Sequence, residues 1–336
     1  MFKSFSKFSF FAAALLPTCI NAYPNPTTLV ASPKGGSPTL CKKGLTYFLF
    51  TGGVGIPMYT ATNVAGPWTQ QGVVFPDGAP WTAPYTGGDN LKLWAPDCTV
   101  VDGAIRLFYS ASTIGSRNSA IFYAYSTTGA SGSWTNGGLV VKTTTSDNYN
   151  AIDPNLSVGA HLNHFRPTTS QIPVDPVPYL SFGSYWSGIK GVRLNPTTYM
   201  PLSTTYDSLA ARTNGAQPQG NADSEEAPVI FSFHNFWYLF TSWNADKEYY
   251  QVHVARSSTY NGGYVGQQGL AATNNGGGLI LPPHDSILGP GGQDIFLDSD
   301  GTVYMVYHYK TGSSGNLAFH IGLNKLDMSS GWPVVV

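Results

Sequence analysis

Five short aromatic and β-branched runs recur about 65 residues apart, and nothing else in the sequence narrows the possible folds so far. They are residues 46–52 (TYFLFTG), 105–112 (IRLFYSAS), 178–186 (PYLSFGSYW), 236–243 (FWYLFTSW) and 303–309 (VYMVYHY). Aligning Tyr47, Phe108, Leu180, Leu239 and Met305 gives steps of 61, 72, 59 and 66 residues. Clusters of Gly, Pro, Asn and Ser separate the runs, and no long window has the apolar periodicity of a helix. One step is long enough for four strands of ordinary length with their connections. The pattern predicts an all-β protein, a five-bladed β-propeller in which each step is one blade. The competing architecture is a β-sandwich with irregular strands.

About ten residues before each run stands a short segment with Pro or a carboxylate. These are Ser37-Pro38, Ala95-Pro96-Asp97, Asp153-Pro154, Glu226-Ala227-Pro228 and Gln293-Asp294. The first strand of a propeller blade lines the axis, so the five segments are expected to converge at one mouth of the central channel. Four of the 18 acidic residues fall there. Buried carboxylates cost several kcal/mol unless paired, so such a ring points to chemistry. Two carboxyls facing an aromatic cleft can cleave a glycosidic bond, one protonating the leaving oxygen and the other activating water or attacking carbon. Trp94, Tyr185 and Trp186 are candidates to stack on sugar faces.

Composition narrows the partner. Only 10% of residues are charged, against roughly 25% in an ordinary soluble domain. The net charge is −1, so the chain lacks the basic field that nucleic acid or anionic lipid requires. A neutral polysaccharide or oligosaccharide fits better, bound by a monomer, with no nucleic-acid or membrane partner. Residues 1–22 read as a secretory signal: Lys3 and Lys7 precede an apolar run from Phe8 to Leu16 too short to span a bilayer. The protein is therefore expected to be secreted and extracellular, with residues 23–336 forming a single propeller domain. Cys19 would leave with the signal. Cys41 and Cys98 would then form one disulfide or remain two buried thiols. Asn155-Leu156-Ser157 is a glycosylation sequon inside a proposed site strand, and is expected to stay unmodified. The glycines at 276–278 and 291–292 read as turns rather than phosphate loops, since no helix or Lys follows them.

Several motifs carry a specific resemblance. Residues 150–156 (NAIDPNL), 182–190 (FGSYWSGIK), 94–97 (WAPD), 226–228 (EAP) and 331–335 (GWPVV) occur in this order. The chain from about residue 33 onward resembles the endo-arabinanases of glycoside hydrolase family 43. The resemblance implies a five-bladed propeller that cleaves α-1,5-linked L-arabinan of plant cell-wall pectin with inversion. It implies Glu226 as general acid and Asp153 as the carboxylate that orients the acid and raises its pKa. Trp94, Asp97, Asn150, Ser184, Tyr185 and Trp186 would contact substrate. His308 would sit on the axis beside a calcium-like metal ion held mostly by waters.

The pattern breaks at the general base. Where the family has Asp-Pro, this chain has Ser37-Pro38, and where the family has a GPGHNS-like segment it has Gly289-Pro290-Gly291-Gly292-Gln293-Asp294. A serine hydroxyl is no substitute for a carboxylate as a base, and losing a general base costs roughly 10²–10⁴ in rate. Asp294 is the candidate to replace it. The alternatives are a carbohydrate-binding pseudoenzyme, and an exo-acting arabinofuranosidase or β-xylosidase of the same family. Lack of a large insertion or a C-terminal sandwich domain favours an open groove.

Overall fold

The structure, a computed structural model, describes residues 23–33, 35–158, 177–212, 224–245, 248–313 and 315–336. The proposed signal, 1–22, lies outside the described residues. Five antiparallel sheets follow one another along the chain. Their inner strands are Thr39–Lys43, Lys92–Val101, Asn155–Ser157, Glu225–Phe233 and Leu288–Leu297. The five aromatic runs form the second strand of each sheet: Thr46–Phe50, Ala104–Ala111, Tyr179–Phe182, Phe236–Trp243 and Val303–Ser313. The architecture is the five-bladed β-propeller that the repeat predicts, and no α-helix occurs among the described residues.

The period holds, but the alignment within it shifts. Cα pairing sets Leu49, Leu107, Leu180, Leu239 and Met305 opposite equivalent inner-strand residues. Tyr47 and Phe108 are thus two places and one place off the register expected from sequence. Second strands are buried on both faces, so aliphatic and aromatic side chains run on without the alternation that would mark a face. All five true equivalents are essentially inaccessible.

Those faces are buried because blades pack side by side. One face of each second strand turns to the blade before and the other to the blade after. In blade 1, Phe48 and Phe50 pack with Leu93, Ile105 and Leu107 of blade 2. Leu49, between them, packs with Val306, Ile321 and Leu323 of blade 5. Three further cores fill the remaining seams. At ~1.5–3 kcal/mol for each fully buried large apolar side chain, this sandwiching is the main source of cohesion. The ring closes through the N-terminal strand Thr27–Ala31, which pairs antiparallel with Asn316–Asp327 as the outer strand of blade 5. Lys42 of blade 1 meets Asp298 of blade 5 at 2.6 Å, and Tyr47 Oη donates to the same carboxylate.

Cys41 and Cys98 pair as a disulfide with Cα atoms 5.9 Å apart, fastening the inner strands of blades 1 and 2. The crosslink spans 57 residues. By loop-closure entropy it is worth roughly 4 kcal/mol. A Cys41→Ala, Cys98→Ala double variant is expected to lose about that much unfolding free energy in urea titration. A loss below about 1 kcal/mol would mean that the reduced chain is already restrained.

Candidate active site

Each inner strand enters the axis through the same backbone device. Ser37, Ala95, Asp153, Ala227 and Gly292 occupy equivalent positions, and all five have positive φ, between 40° and 56°. Pro follows in the first four blades and Gln293 in the fifth. A non-glycine residue in this region costs about 1–2 kcal/mol; it persists because the surrounding sheet fixes it. In blades 2, 4 and 5 the ladder register also breaks here, between Trp94 and Asp97, Glu226 and Val229, and Gly291 and Asp294. Such bulges re-aim side chains. They divide the acidic residues expected in one ring into two tiers.

The upper tier opens on a cavity of about 580 Å³. Asp153, Glu226, Ser37, Trp94 and His308 all line it, together with Ile152, Tyr250, Lys92 and Lys310. Glu226 is held at both oxygens: Ser184 Oγ donates to Oε2 at 2.7 Å and Tyr250 Oη to Oε1 at 2.8 Å. Asp153, on the neighbouring blade, accepts from the Ala227 N–H at 3.3 Å. Burial raises the pKa of Glu226, opposed by the two hydroxyl donors. Burial and then the charge of Glu226 raise Asp153 well above the carboxylate range. The site can therefore retain a proton where exposed carboxyls have lost theirs, which a general acid requires.

Tyr250 is the functional residue that sequence reasoning missed. It comes from a loop with no motif of its own. Its signal lies elsewhere, in Gly291: a Cβ there would stand 2.2 Å from the Tyr250 ring, so the glycine makes room for the tyrosine that reaches Glu226.

The lower tier is structural. Asp97 and Asp294 do not line the main cavity; they face the narrow axial channel beneath it. Asp97 accepts from Asn155 Nδ2 at 2.9 Å and the Leu156 N–H at 2.8 Å, both on the next blade. Asn155 Oδ1 accepts from the Ile230 N–H in turn, and Thr39 Oγ1 from the Cys98 N–H. Asp294 closes the circle, accepting from Thr39 Oγ1 at 2.8 Å, the Leu40 N–H at 2.9 Å and the Ile295 N–H at 2.7 Å. Four side chains thus stitch each blade to the next; the fifth equivalent, Val229, has no acceptor. This corrects two expectations. Asp97 is placed to hold blades rather than substrate. Asp294 has its oxygens committed to three donors outside the cleft, a poor position for a base. Asn155 is likewise buried with its amide engaged at both ends, which agrees with an unmodified sequon.

We expect Asp294→Ala to lower stability sharply, because each buried donor left unpaired costs about 1–3 kcal/mol. The midpoint of urea unfolding checks this; an unchanged midpoint would show that water replaces the carboxylate.

The remaining expected contacts divide. Ser184 touches the acid rather than the cavity. Asn150 is buried, its Oδ1 without a hydrogen-bond partner, and is not on the cavity wall. Tyr185 and Trp186 sit half-exposed at positive φ in the turn after Ser184, beside Glu226 but off that wall. The turn is braced from below by buried Lys190, whose Nζ donates to the Ser187 carbonyl at 2.8 Å.

His308 accepts the Ser37 N–H on Nδ1 at 3.1 Å and stacks on Tyr250 with centroids 5.6 Å apart. Burial and the Lys310 charge push its pKa down to about 3, so it is neutral. The described residues hold no cluster of three His, Cys, Asp or Glu side chains suited to a metal. An ion beside His308 would therefore have to take its other ligands from water.

The buried acids give stability a pH dependence. Burial raises Asp97 to about 8 and Glu225 to about 7. The unfolded chain ionises these groups near pH 4, so between there and pH 8 the folded state binds more protons, and stability falls as pH rises. Neutral His253 and His308, both near 3 when folded, act the other way, but only up to the imidazole range near 6.5. The unfolding midpoint is expected to fall from pH 6.5 to 8, and Asp97→Asn to flatten that slope. A midpoint rising over this window would refute the assignment.

A β-propeller whose axial cleft sets a doubly hydrogen-bonded glutamate beside a second, half-buried carboxylate has the equipment of a glycoside hydrolase. Residues 23–333 match the family described as glycosyl hydrolases family 43, and the chain belongs to that family. Arabinan endo-1,5-alpha-L-arabinosidase A of Aspergillus niger is 34% identical over 336 residues, covering 96% of this chain and 97% of that protein. The endo-arabinanase of Bacillus licheniformis superposes with a TM-score of 0.77 at 30% identity, over 91% of this chain and 99% of that one. An exo-1,5-alpha-L-arabinanase from a bovine ruminal metagenomic library gives 0.78 at 27% identity, over 92% and 98%.

Proposed function

We propose that this protein is a secreted hydrolase of α-1,5-linked L-arabinan, working by inversion with Glu226 as general acid. One observation carries the reading: Glu226 and Asp153 meet in one cleft from neighbouring blades, with Glu226 fixed by Ser184 and Tyr250. Protonated Glu226 gives its proton to the leaving glycosidic oxygen as the bond breaks. Burial keeps the acid's pKa high, and Asp153, close enough for its charge to interact with that of Glu226, orients it for reprotonation. Water attacks the anomeric carbon from the opposite face. Ser37 stands at the position of the family's base and has no carboxylate, so the attacking water's proton passes to solvent water. The relatives' activity on arabinan supports the substrate, and a disulfide suits an oxidising compartment.

The test is incubation with linear arabinan, debranched arabinan and an aryl arabinoside. Oligosaccharide products mean endo cleavage, arabinose alone exo cleavage. Retained binding without products would establish the second reading, a carbohydrate-binding pseudoenzyme, which Ser37 favours. Amino-terminal sequencing of the exported protein is expected to begin near residue 23; a start at Met1 would overturn secretion through this signal.

A further inference from the structure

The acid's neighbour in the chain, Glu225, is buried and does not line the cleft. It opens the inner strand of blade 4. Successive residues of a strand face opposite ways, so Glu226 looks into the cleft and Glu225 toward the second strand of its own blade. There its Oε1 accepts from Thr241 Oγ1 at 2.8 Å and from the Trp243 indole N–H at 3.1 Å. Its Oε2 is buried and meets no hydrogen-bond partner among the described residues. Arg212 lies 4.3 Å from the centroid of the Trp243 ring, and its charge reaches Glu225. His253 stacks on the same ring with centroids 3.7 Å apart. It is neutral, its pKa pushed down to about 3 by burial. Burial raises the pKa of Glu225 to about 7, against the two donors and the Arg212 charge. The carboxyl is therefore neutral in mildly acid solution. Ionising it would charge a buried group with one bare oxygen, which an apolar interior penalises. The anion forms only if the carboxyl moves or water enters.

The same residue clips the turn that holds the acid. The Glu225 carbonyl accepts the Tyr185 N–H at 2.9 Å. Ser184, one residue earlier, bridges to Glu226 along the backbone and donates its Oγ to Glu226 Oε2 at 2.7 Å. Glu225 thus ties its side chain to the second strand of blade 4 and its backbone to the turn from blade 3. We infer that Glu225 is a positioning residue for the acid: its neutral carboxyl locks the start of the strand, and loss of that proton loosens the Ser184 clamp on Glu226. The inference deepens the hydrolase reading above and rests on it. The proton of Glu225 goes to solvent and never reaches substrate. On the alkaline side the site then fails twice. Glu226 loses the proton that it must donate, and Glu225 loses the proton that keeps Glu226 in place.

Two measurements on the full chain test this, each in the parent and in Glu225→Gln. The amide stays neutral at every pH and keeps an oxygen for Thr241 and Trp243. The first is hydrogen exchange of peptides spanning residues 184–188. From pH 6 to 9 the parent's Tyr185 amide should gain roughly tenfold more in rate than base-catalysed exchange alone gives, as the lock opens. Glu225→Gln should show no such excess. The second is the pH dependence of kcat on linear arabinan, read also in the Ser37→Asp background. Once both groups ionise, kcat should fall by about a hundredfold per pH unit, and in Glu225→Gln by only about tenfold. A merely structural glutamate would lower kcat at every pH and leave that slope alone. Thr241→Val removes a donor that favours the anion, so it should move the extra limb to higher pH. It keeps the test open should Glu225→Gln fail to fold. Equal exchange in parent and Glu225→Gln, equal slopes, or an extra limb unmoved by Thr241→Val would overturn the proposal. Exchange that follows Glu225 in a chain that cleaves no arabinan, even as Ser37→Asp, would uphold the lock on the turn and sink the hydrolase reading instead.

Discussion

Ser37→Asp is expected to raise the rate of arabinan cleavage by roughly 10²–10⁴, the worth of a placed general base. The backbone is ready for the change. Ser37 has φ 47°, and the equivalent residue of blade 3 is an aspartate at φ 56°, so the fold already tolerates Asp in this turn. Among non-glycine residues Asp and Asn accept the left-handed region best. The side chain would enter the corner of the cleft where Ser37 already lines the cavity. An inverting site needs ~6.5–9.5 Å between acid and base carboxyls to admit water, and Ser37 and Glu226 stand on different blades of one cleft. The rate with linear arabinan checks this. A change under threefold would mean that another group already activates water.

Glu226→Gln is expected to remove most cleavage, again by roughly 10²–10⁴, while arabinan binding changes little. The amide keeps the shape and can still accept from Ser184 or Tyr250, but it has no proton to give to a leaving oxygen. The comparison is cleanest in the Ser37→Asp background, where turnover is high enough to lose. Isothermal titration with a catalytically slow oligosaccharide reads binding separately from rate. Cleavage within threefold of the parent would show that Glu226 is not the acid. A parallel loss of binding would show that its work is to hold the substrate.

These two positions also mark where the sequence could be read and where it could not. Glu226 and Asp153 were legible because each falls in a short segment with Pro that recurs from blade to blade. Asp97 and Asp294 fall in the corresponding segments of blades 2 and 5, yet they lie one tier lower and stitch blades together. A carboxylate at the positive-φ residue, as Asp153, or one place before it, as Glu226, aims at the cleft, and one two places after it, as Asp97 and Asp294, aims at the neighbouring blade's backbone. That distinction rests on backbone dihedrals at Ala95, Ala227 and Gly292, which a string of letters does not display. Tyr250 escaped notice for a different reason. Its partner Glu226 is 24 residues away, and only the approach of its ring to Gly291 makes the contact possible.

By itself the sequence determined the number of blades, the aromatic strand that recurs in each, the family, and that a serine stands at position 37. These follow from local composition and from repetition, because a β-strand's burial is written in its own side chains and a repeat copies it. Tertiary structure alone decided which of four acids share a cavity, which tie the ring, that Cys41 meets Cys98, and that Tyr250 reaches Glu226. Each of these depends on how strands from different blades approach across the axis. That geometry is set by twist, bulge and closure of the whole ring, and no single segment of the chain carries it.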